Sequence, residues 1–115
     1  MEIEEKVRKR FEELLNAGGQ LKHGNEHGQV QSESHRQNCI GWLASAQNIV
    51  HLVVTNPGNP YRSSVDKICS SDRGYCVQES VGEASVILRS LLQDIGSGLL
   101  ASIEDQTRAS VSTIS

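Results

Sequence analysis

A chain of 115 residues with a net charge of −3 is long enough for one domain around a single apolar core. Aromatic rings make up only 3% of the residues, so that core must consist mainly of aliphatic side chains, which suits packing between helices. A slightly acidic chain lacks the concentrated basic face that nucleic-acid binding requires, and its apolar runs are too short to cross a membrane. We therefore expect no nucleic acid and no membrane as partners.

The first predicted helix runs from Glu2 to Ala17. Its apolar residues recur at helical spacing on one face, namely Ile3, Val7, Phe11, Leu14 and Leu15. Because glycine readily adopts the left-handed conformation of a helix cap, we expect Gly18 and Gly19 to end this helix. The next stretch, Lys22 to Glu33, is polar and contains two further glycines, which predicts a loop.

The second predicted helix begins near Ser32 to Ser34, with Ser34 as its N-cap and Gln37 in the capping-box position. Its apolar face is wide enough to make it the central helix: Cys39, Trp42, Leu43, Ala46, Ile49, Val50 and Val53, widened by Ile40, Leu52 and Val54. Pro57 and Pro60 end it, because proline lacks the donor that a helix requires. A short third helix follows, with Asn59 as cap, Pro60 at its first position and a buried face of Tyr61, Val65, Ile68 and Cys69.

The final helix is predicted from Cys76 to Arg108, and at that length it would span about 45 Å. It carries an apolar stripe on one face: Val81, Ala84, Leu88, Leu91, Ile95, Leu99 and Ile103. The first two helices are apolar enough to cover the stripe as far as about Leu92. Gly96, Ser97 and Gly98 then interrupt it. Such glycines either kink or weaken a helix, or let another helix approach closely.

These elements predict an all-α fold, a four-helix bundle-like domain with a long C-terminal helix. The expected domain covers residues 1–109, and the Ser/Thr-rich residues 110–115 are expected to fray. Large exposed apolar patches are rare on monomers, so a stripe of this length predicts a homodimer about a two-fold axis. The expected interface residues are Leu91, Ile95, Gly96, Gly98, Leu99, Leu100 and Ile103. A second protein or a missing C-terminal domain is the alternative partner for the distal part of the stripe.

The polar loop holds the strongest metal-binding candidates. His23 and His27 are four residues apart with Glu26 between them, and His35 would add a third ligand if the loop folded back. The glycines argue against a helix here, and the order is not HExxH, so we expect a solvated loop and no metal or other cofactor. His51, near the end of the second helix, is predicted as a surface histidine interacting with the negative end of that helix.

Trp42 is predicted to anchor the core with its indole N–H satisfied, and a ligand pocket beside it is the alternative. Cys39, Cys69 and Cys76 have no CxxC spacing, so we expect small buried residues rather than a disulfide or metal set. The N-terminus is charged where a secretory segment would be apolar, which favours a cytoplasmic location.

Three stretches of the sequence occur in a familiar order: residues 10–15 with Gly19, residues 42–48, and residues 87–100. Together they resemble the N-terminal helical half of uncharacterised bacterial proteins whose second half is a HEPN-like helical domain, often encoded near mobile or phage-defence genes. HEPN ribonucleases carry an Arg followed by a His some four to six positions later, and no Arg precedes a His at that spacing here. The resemblance therefore implies a bacterial cytoplasmic scaffold, such as a mobile gene-cassette product or a truncated chain, without nuclease activity.

The function expected from the sequence is a non-enzymatic helical module for interaction and self-association. Two alternatives stay open at this stage. One is a small-molecule or peptide binder with a pocket near Trp42, and the other is a metal-dependent enzyme that uses His23, His27 and His35.

Overall fold

The computed structural model describes residues 5–98, which fold as four α-helices. They are α1 (Glu5–Leu21), α2 (Glu33–Val53), α3 (Pro60–Ser70) and α4 (Val77–Gly96), and a 3-10 turn at Gly74–Cys76 leads into α4. This part of the chain contains no strand, and the predicted all-α fold is confirmed. The predicted domain end and the 110–115 tail lie outside the described residues, as do Leu99, Leu100 and Ile103.

A single apolar core joins the four helices. It consists of Phe11, Leu14, Val30, Cys39, Trp42, Leu43, Ala46, Ile49, Val50, Val54, Val65, Val77, Val81, Ala84, Leu88, Leu91 and Ile95. α2 and α4 each supply six of these residues, and α4 packs against all three of the other helices. Ile40 and Leu52 differ from the prediction, since they are 46% and 62% exposed instead of widening the buried face of α2.

The helices alternate in direction so that three of their ends meet. The Leu21 carbonyl at the end of α1 contacts His35 and Cys39 near the start of α2, which makes these two helices antiparallel. A Cβ built on Gly82, early in α4, lies 3.6 Å from the Cβ of Lys22, so α4 also runs opposite to α1. The start of α1 and the ends of α2 and α4 therefore lie at one end of the bundle.

Gly18 and Gly19 do not end the first helix, so that prediction is wrong: α1 continues to Leu21. Gly18 instead permits a close contact between helices. A Cβ there would lie 2.6 Å from Ser85 Oγ and 2.7 Å from Trp42 Cζ2, whereas a Cβ on Gly19 would meet nothing within 4 Å. The local sequence shows two equal glycines, but only one of them faces the core.

The N-cap of α2 is Ser32, and the prediction of Ser34 is wrong by two residues. The Ser32 side chain accepts the backbone N–H of His35 at 3.0 Å, which satisfies one of the free donors of the first turn. At the other end α2 finishes at Val53, before the prolines, as predicted. α3 also begins as predicted, with Asn59 Oδ1 accepting the N–H of Tyr61 at 2.9 Å.

The polar segment between α1 and α2 is a loop, as predicted, and its own side chains hold it in place. Asn25 Oδ1 accepts the backbone N–H groups of His27 at 2.8 Å and Gln29 at 3.1 Å. Val30 enters the core, and its N–H donates to the Tyr75 carbonyl at 2.7 Å. The loop is thereby fixed to the turn that precedes α4.

The final helix is shorter than the sequence predicts. α4 ends at Gly96, and the last turn is closed by the N–H of Gly98 donating to Ile95 O at 3.1 Å. Gly98 has a φ of 79°, a left-handed conformation that stops a helix and that glycine adopts without strain. The prediction of one helix through to Arg108 is therefore wrong, and the glycines are its end rather than a kink within it.

Two of the predicted interface residues lie in the core of the chain, and the interface itself stays a prediction. Leu91 is fully buried and Ile95 is 5% exposed within the chain itself, so neither is available to a second copy. The expectation that α1 and α2 cover the first half of the stripe is confirmed. Gly96 and Gly98 have open space around them, and no helix of the described residues approaches them closely.

Candidate functional site

Polar contacts join one row of residues on α2 to α3, and we call this row the α2–α3 seam. Asp66 Oδ1 accepts hydrogen bonds from two α2 side chains one turn apart, Gln47 Nε2 at 2.9 Å and His51 Nε2 at 2.6 Å. One turn earlier on α2, the Leu43 carbonyl accepts from the Cys69 thiol at 3.6 Å. Because residues four apart lie on one side of a helix, the sequence folds these partners into a line.

The hydrogen bond from Gln47 is the largest influence on Asp66, and it lowers the pKa of that carboxyl. His51 acts in the same direction through its hydrogen bond and charge, and so does the Arg62 guanidinium, while partial burial opposes them. Arg62 also donates to the carbonyls of Val54 and Thr55, which caps the end of α2. The hydrogen bonds of the α2–α3 seam therefore hold α3 against α2.

The pair of His51 and Asp66 has the composition of a catalytic dyad, but the thiol on the same row is unsuited to nucleophilic attack. Burial raises the pKa of Cys69, and the negative charge of Asp66 raises it further. Since the thiolate is the reactive form of cysteine, a thiol held protonated is a poor nucleophile. Asp66, which the sequence analysis did not single out, explains why His51 is not merely a free surface residue.

Replacing Asp66 by Asn is expected to lower the free energy of unfolding at pH 7 by up to about 1 kcal/mol, because the pair is half-exposed and screened by water. The lowered pKa stabilises the folded chain above the usual value of 3.8, and this stability is lost as the pH falls through the folded value. Thermal unfolding of wild type and variant should therefore converge below about pH 4. Glu12→Gln, an exposed change on α1, is the control, and a difference that persists in acid would contradict the assignment.

A second link between helices lies at the end where α4 finishes. The Tyr61 hydroxyl on α3 donates to the Asp94 carboxylate on α4. Burial, followed by this hydrogen bond and the charge of Asp94, raises the pKa of Tyr61 to about 12, so the phenol stays protonated. Tyr61 therefore joins α3 to α4 and does not act as an acid or base at neutral pH.

The histidine candidates do not form a metal site. Between residues 5 and 98 no three His, Cys, Asp or Glu side chains are grouped so that they could hold an ion. The His35 ring is occupied at both nitrogens: Nε2 donates to the Leu21 carbonyl at 2.7 Å, and Nδ1 accepts the N–H of Gln31 at 2.9 Å. His23 and His27 are exposed on the loop, and His27 lies 3.4 Å from its neighbour Glu26.

Trp42 lies in the core that the four helices share. It is 5% exposed, and its indole N–H donates to the Leu14 carbonyl of α1 at 2.8 Å. The polar end of the ring is therefore satisfied by backbone, as the core interpretation predicts. The two clefts described next are lined by other residues.

One cleft of about 350 Å³ lies where α2, α3 and the 3-10 turn meet. Its walls include Ile40 and two arginines, each with an acidic partner: Arg36 with Glu33 and Arg73 with Glu83. The Tyr75 ring, 62% exposed, lies under the Arg36 guanidinium at 6.0 Å. The cleft therefore has a mixed lining in which opposite charges already balance each other.

A second cleft, of about 200 Å³, lies between α1 and α2, and we call it the α1–α2 cleft. It is lined by Lys6, Val7, Arg10, Ser45, Asn48, Ile49 and Leu52. Leu52 stands at its edge with 62% of its surface exposed. The charged side chains among these lining residues are both cations, in a chain with an overall charge of −3. The sequence analysis missed this surface, because it placed Leu52 on the buried face of α2.

No family model matches the chain, and the searches of curated proteins and of solved structures give no significant match. The resemblance to the helical half of HEPN-containing proteins stays a prediction. Among the described helices, none is long and apolar enough to pass through a membrane.

Proposed function

We propose that this chain is a non-enzymatic helical interaction module that self-associates as a homodimer. The observation that carries the proposal is the α1–α2 cleft, where Leu52, 62% exposed, lies beside the partly buried Val7 and the buried Ile49. An exposed apolar side chain beside a cleft and rimmed by polar groups is typical of a protein-binding surface. This surface replaces Leu91 and Ile95, which the core already uses.

The polar groups of the chain support a structural role rather than catalysis. Asp66 and His51 join α2 to α3, Tyr61 joins α3 to α4, and His35 joins α2 to α1. Each of these side chains makes a hydrogen bond that joins two helices. A general base, in contrast, needs a free nitrogen or oxygen within reach of a substrate proton.

The proposal is tested by measuring the mass of the full chain in solution across a concentration series. Light scattering or analytical ultracentrifugation should give twice the chain mass of 12.6 kDa at micromolar concentrations, with dissociation on dilution. A single species of 12.6 kDa at high micromolar concentration would remove self-association from the proposal. The bacterial cytoplasm is the compartment we propose, on the resemblance described for the sequence.

A further inference from the structure

The outer side of α2 is open to solvent along most of its length. Ile40, Ala44, Asn48 and Leu52 are all exposed, and because they are four residues apart they form one ridge on the helix surface, which we call the α2 ridge. Its two large apolar residues, Ile40 and Leu52, are at the ends and are 46% and 62% exposed. The two smaller residues lie between them.

The part of α2 that bears the ridge contains no acidic or basic side chain of the Asp, Glu, Lys or Arg type. None occurs in residues 37–61, although 22% of the chain is charged. The cations at the borders of this surface are Lys6, Arg10 and Arg36, and the two arginines already have acidic partners in their own chain. A strongly charged partner therefore finds little to bind here, whereas a second uncharged ridge meets no like charge.

The α2 ridge is also complementary to itself in shape. Read in either direction, a large apolar residue is followed by two smaller residues and then by another large one. When two such ridges lie antiparallel, Ile40 of each copy is beside Leu52 of the other, and Ala44 is beside Asn48. Contacts of this reciprocal kind define a two-fold interface, and ridges of residues four apart form the commonest class of helix packing.

Depressions on both sides of the ridge can receive the large residues of a second copy. Ile40 lines the cleft of about 350 Å³ between α2, α3 and the 3-10 turn, and Leu52 lines the α1–α2 cleft of about 200 Å³. Antiparallel pairing brings the second copy's Leu52 to the first cleft and its Ile40 to the second. A third depression, of about 290 Å³, lies between them and is lined by Ala44, Gln47, Asn48 and His51.

The area of this surface is sufficient for a dimer. α2 has 21 residues and is therefore about 30 Å long. With a cleft on each side the surface is about 20 Å wide, or two spacings between packed helices, which gives about 600 Å². Two copies would then bury about 1,200 Å² in total, the lower end of the range for specific protein interfaces.

We propose that two copies of this chain pair through the α2 ridge, with α2 of one copy antiparallel to α2 of the other about a two-fold axis. This inference rests on the proposed self-association and names the surface that performs it. Leu52, the exposed residue of the α1–α2 cleft, then packs beside the second copy's Ile40. One contact thereby removes both large exposed residues of α2 from water.

Full-length charge variants at the two ends of the ridge test the pairing and its direction. Ile40→Lys and Leu52→Glu, made separately, each place a charge against an apolar side chain, so the dimer dissociation constant should rise at least tenfold. Combined in one chain, the new cation of each copy faces the new anion of the other, and the dimer should be at least tenfold tighter than in either single variant. The two positions are about 18 Å apart within a copy, so they cannot pair there. Analytical ultracentrifugation over a concentration series measures all three constants.

Val86→Glu is the matched control, because Val86 is 56% exposed but lies on α4. It should leave the dimer unchanged, and circular dichroism should show that every variant is folded. Ala44→Glu, in the middle of the ridge, should weaken the dimer as much as the end variants do and provides a second test at an exposed residue.

Three outcomes would contradict the inference. A dimer that is unaffected by Ile40→Lys, Leu52→Glu and Ala44→Glu would overturn the α2 interface and leave self-association intact. A double variant weaker than both single variants would overturn the antiparallel direction, because parallel ridges place like charges together. A wild type that stays monomeric at high micromolar concentration would overturn both this inference and the proposed self-association.

Discussion

Replacing Leu91 with alanine should lower the free energy of unfolding by about 2–5 kcal/mol. Leu91 is fully buried in the core, so the truncated side chain leaves a cavity as well as losing apolar burial. Chemical denaturation followed by circular dichroism measures the loss. The effect is a large part of the total stability of a domain of this size, which is typically about 5–15 kcal/mol.

Val86→Ala, on the same helix, is the matched control. Val86 is 56% exposed, so its truncation should change the free energy of unfolding by no more than about 0.5 kcal/mol. Comparing Leu91→Ala with Val86→Ala tests whether Leu91 packs in the core or contacts a second copy. A Leu91→Ala chain that kept its stability but dissociated from dimer to monomer would return Leu91 to the interface and contradict the packing described above.

The second large effect is expected at Gly18. Alanine there should lower the free energy of unfolding by about 1–3 kcal/mol through overpacking. The added Cβ would overlap Ser85 Oγ and the Trp42 ring. The hydroxyl can rotate away, but the ring is held by its hydrogen bond to the Leu14 carbonyl at 2.8 Å. The cost should therefore outweigh the gain in helix propensity that alanine brings.

Gly19, the next residue on α1, provides the matched control for Gly18. Alanine at Gly19 has open space and a helical backbone, so it should raise stability by about 0.5–1 kcal/mol. Adding Ser85→Ala to Gly18→Ala should recover only part of the loss, because the contact with Trp42 remains. If Gly18→Ala and Gly19→Ala stabilised the chain equally, the close approach of α4 and the Trp42 ring to α1 would be disproved.

The contrast between these neighbouring glycines explains why the sequence did not predict the end of α1. Both glycines follow an apolar helical pattern, so a left-handed cap was the natural prediction. Helix propensity is a small local quantity, about 1 kcal/mol for a glycine, and burial of the surrounding apolar residues exceeds it. The helix therefore continues to Leu21. In contrast, Gly98 does take the capping role, where no packing from the described residues opposes it.

The seam between α2 and α3 was beyond prediction for a different reason. Gln47, His51 and Asp66 are separated by up to nineteen positions, and nothing in their local sequences marks them as partners. Their contact depends on the antiparallel arrangement of the two helices. The α1–α2 cleft likewise combines residues from two helices, and its exposed residue, Leu52, had been predicted on the buried face of α2.

The sequence by itself determined the number of helices, the positions at which α2 ended and α3 began, and the burial of Trp42 and of the stripe from Val81 to Leu88. These features follow from the spacing of apolar residues, from proline chemistry and from side-chain capping, all of which act over a few residues. Tertiary structure alone decided which glycine is a contact and which apolar residues stay exposed, and it joined His51 to Asp66. Those outcomes depend on the directions and distances between helices, which the covalent chain does not specify locally.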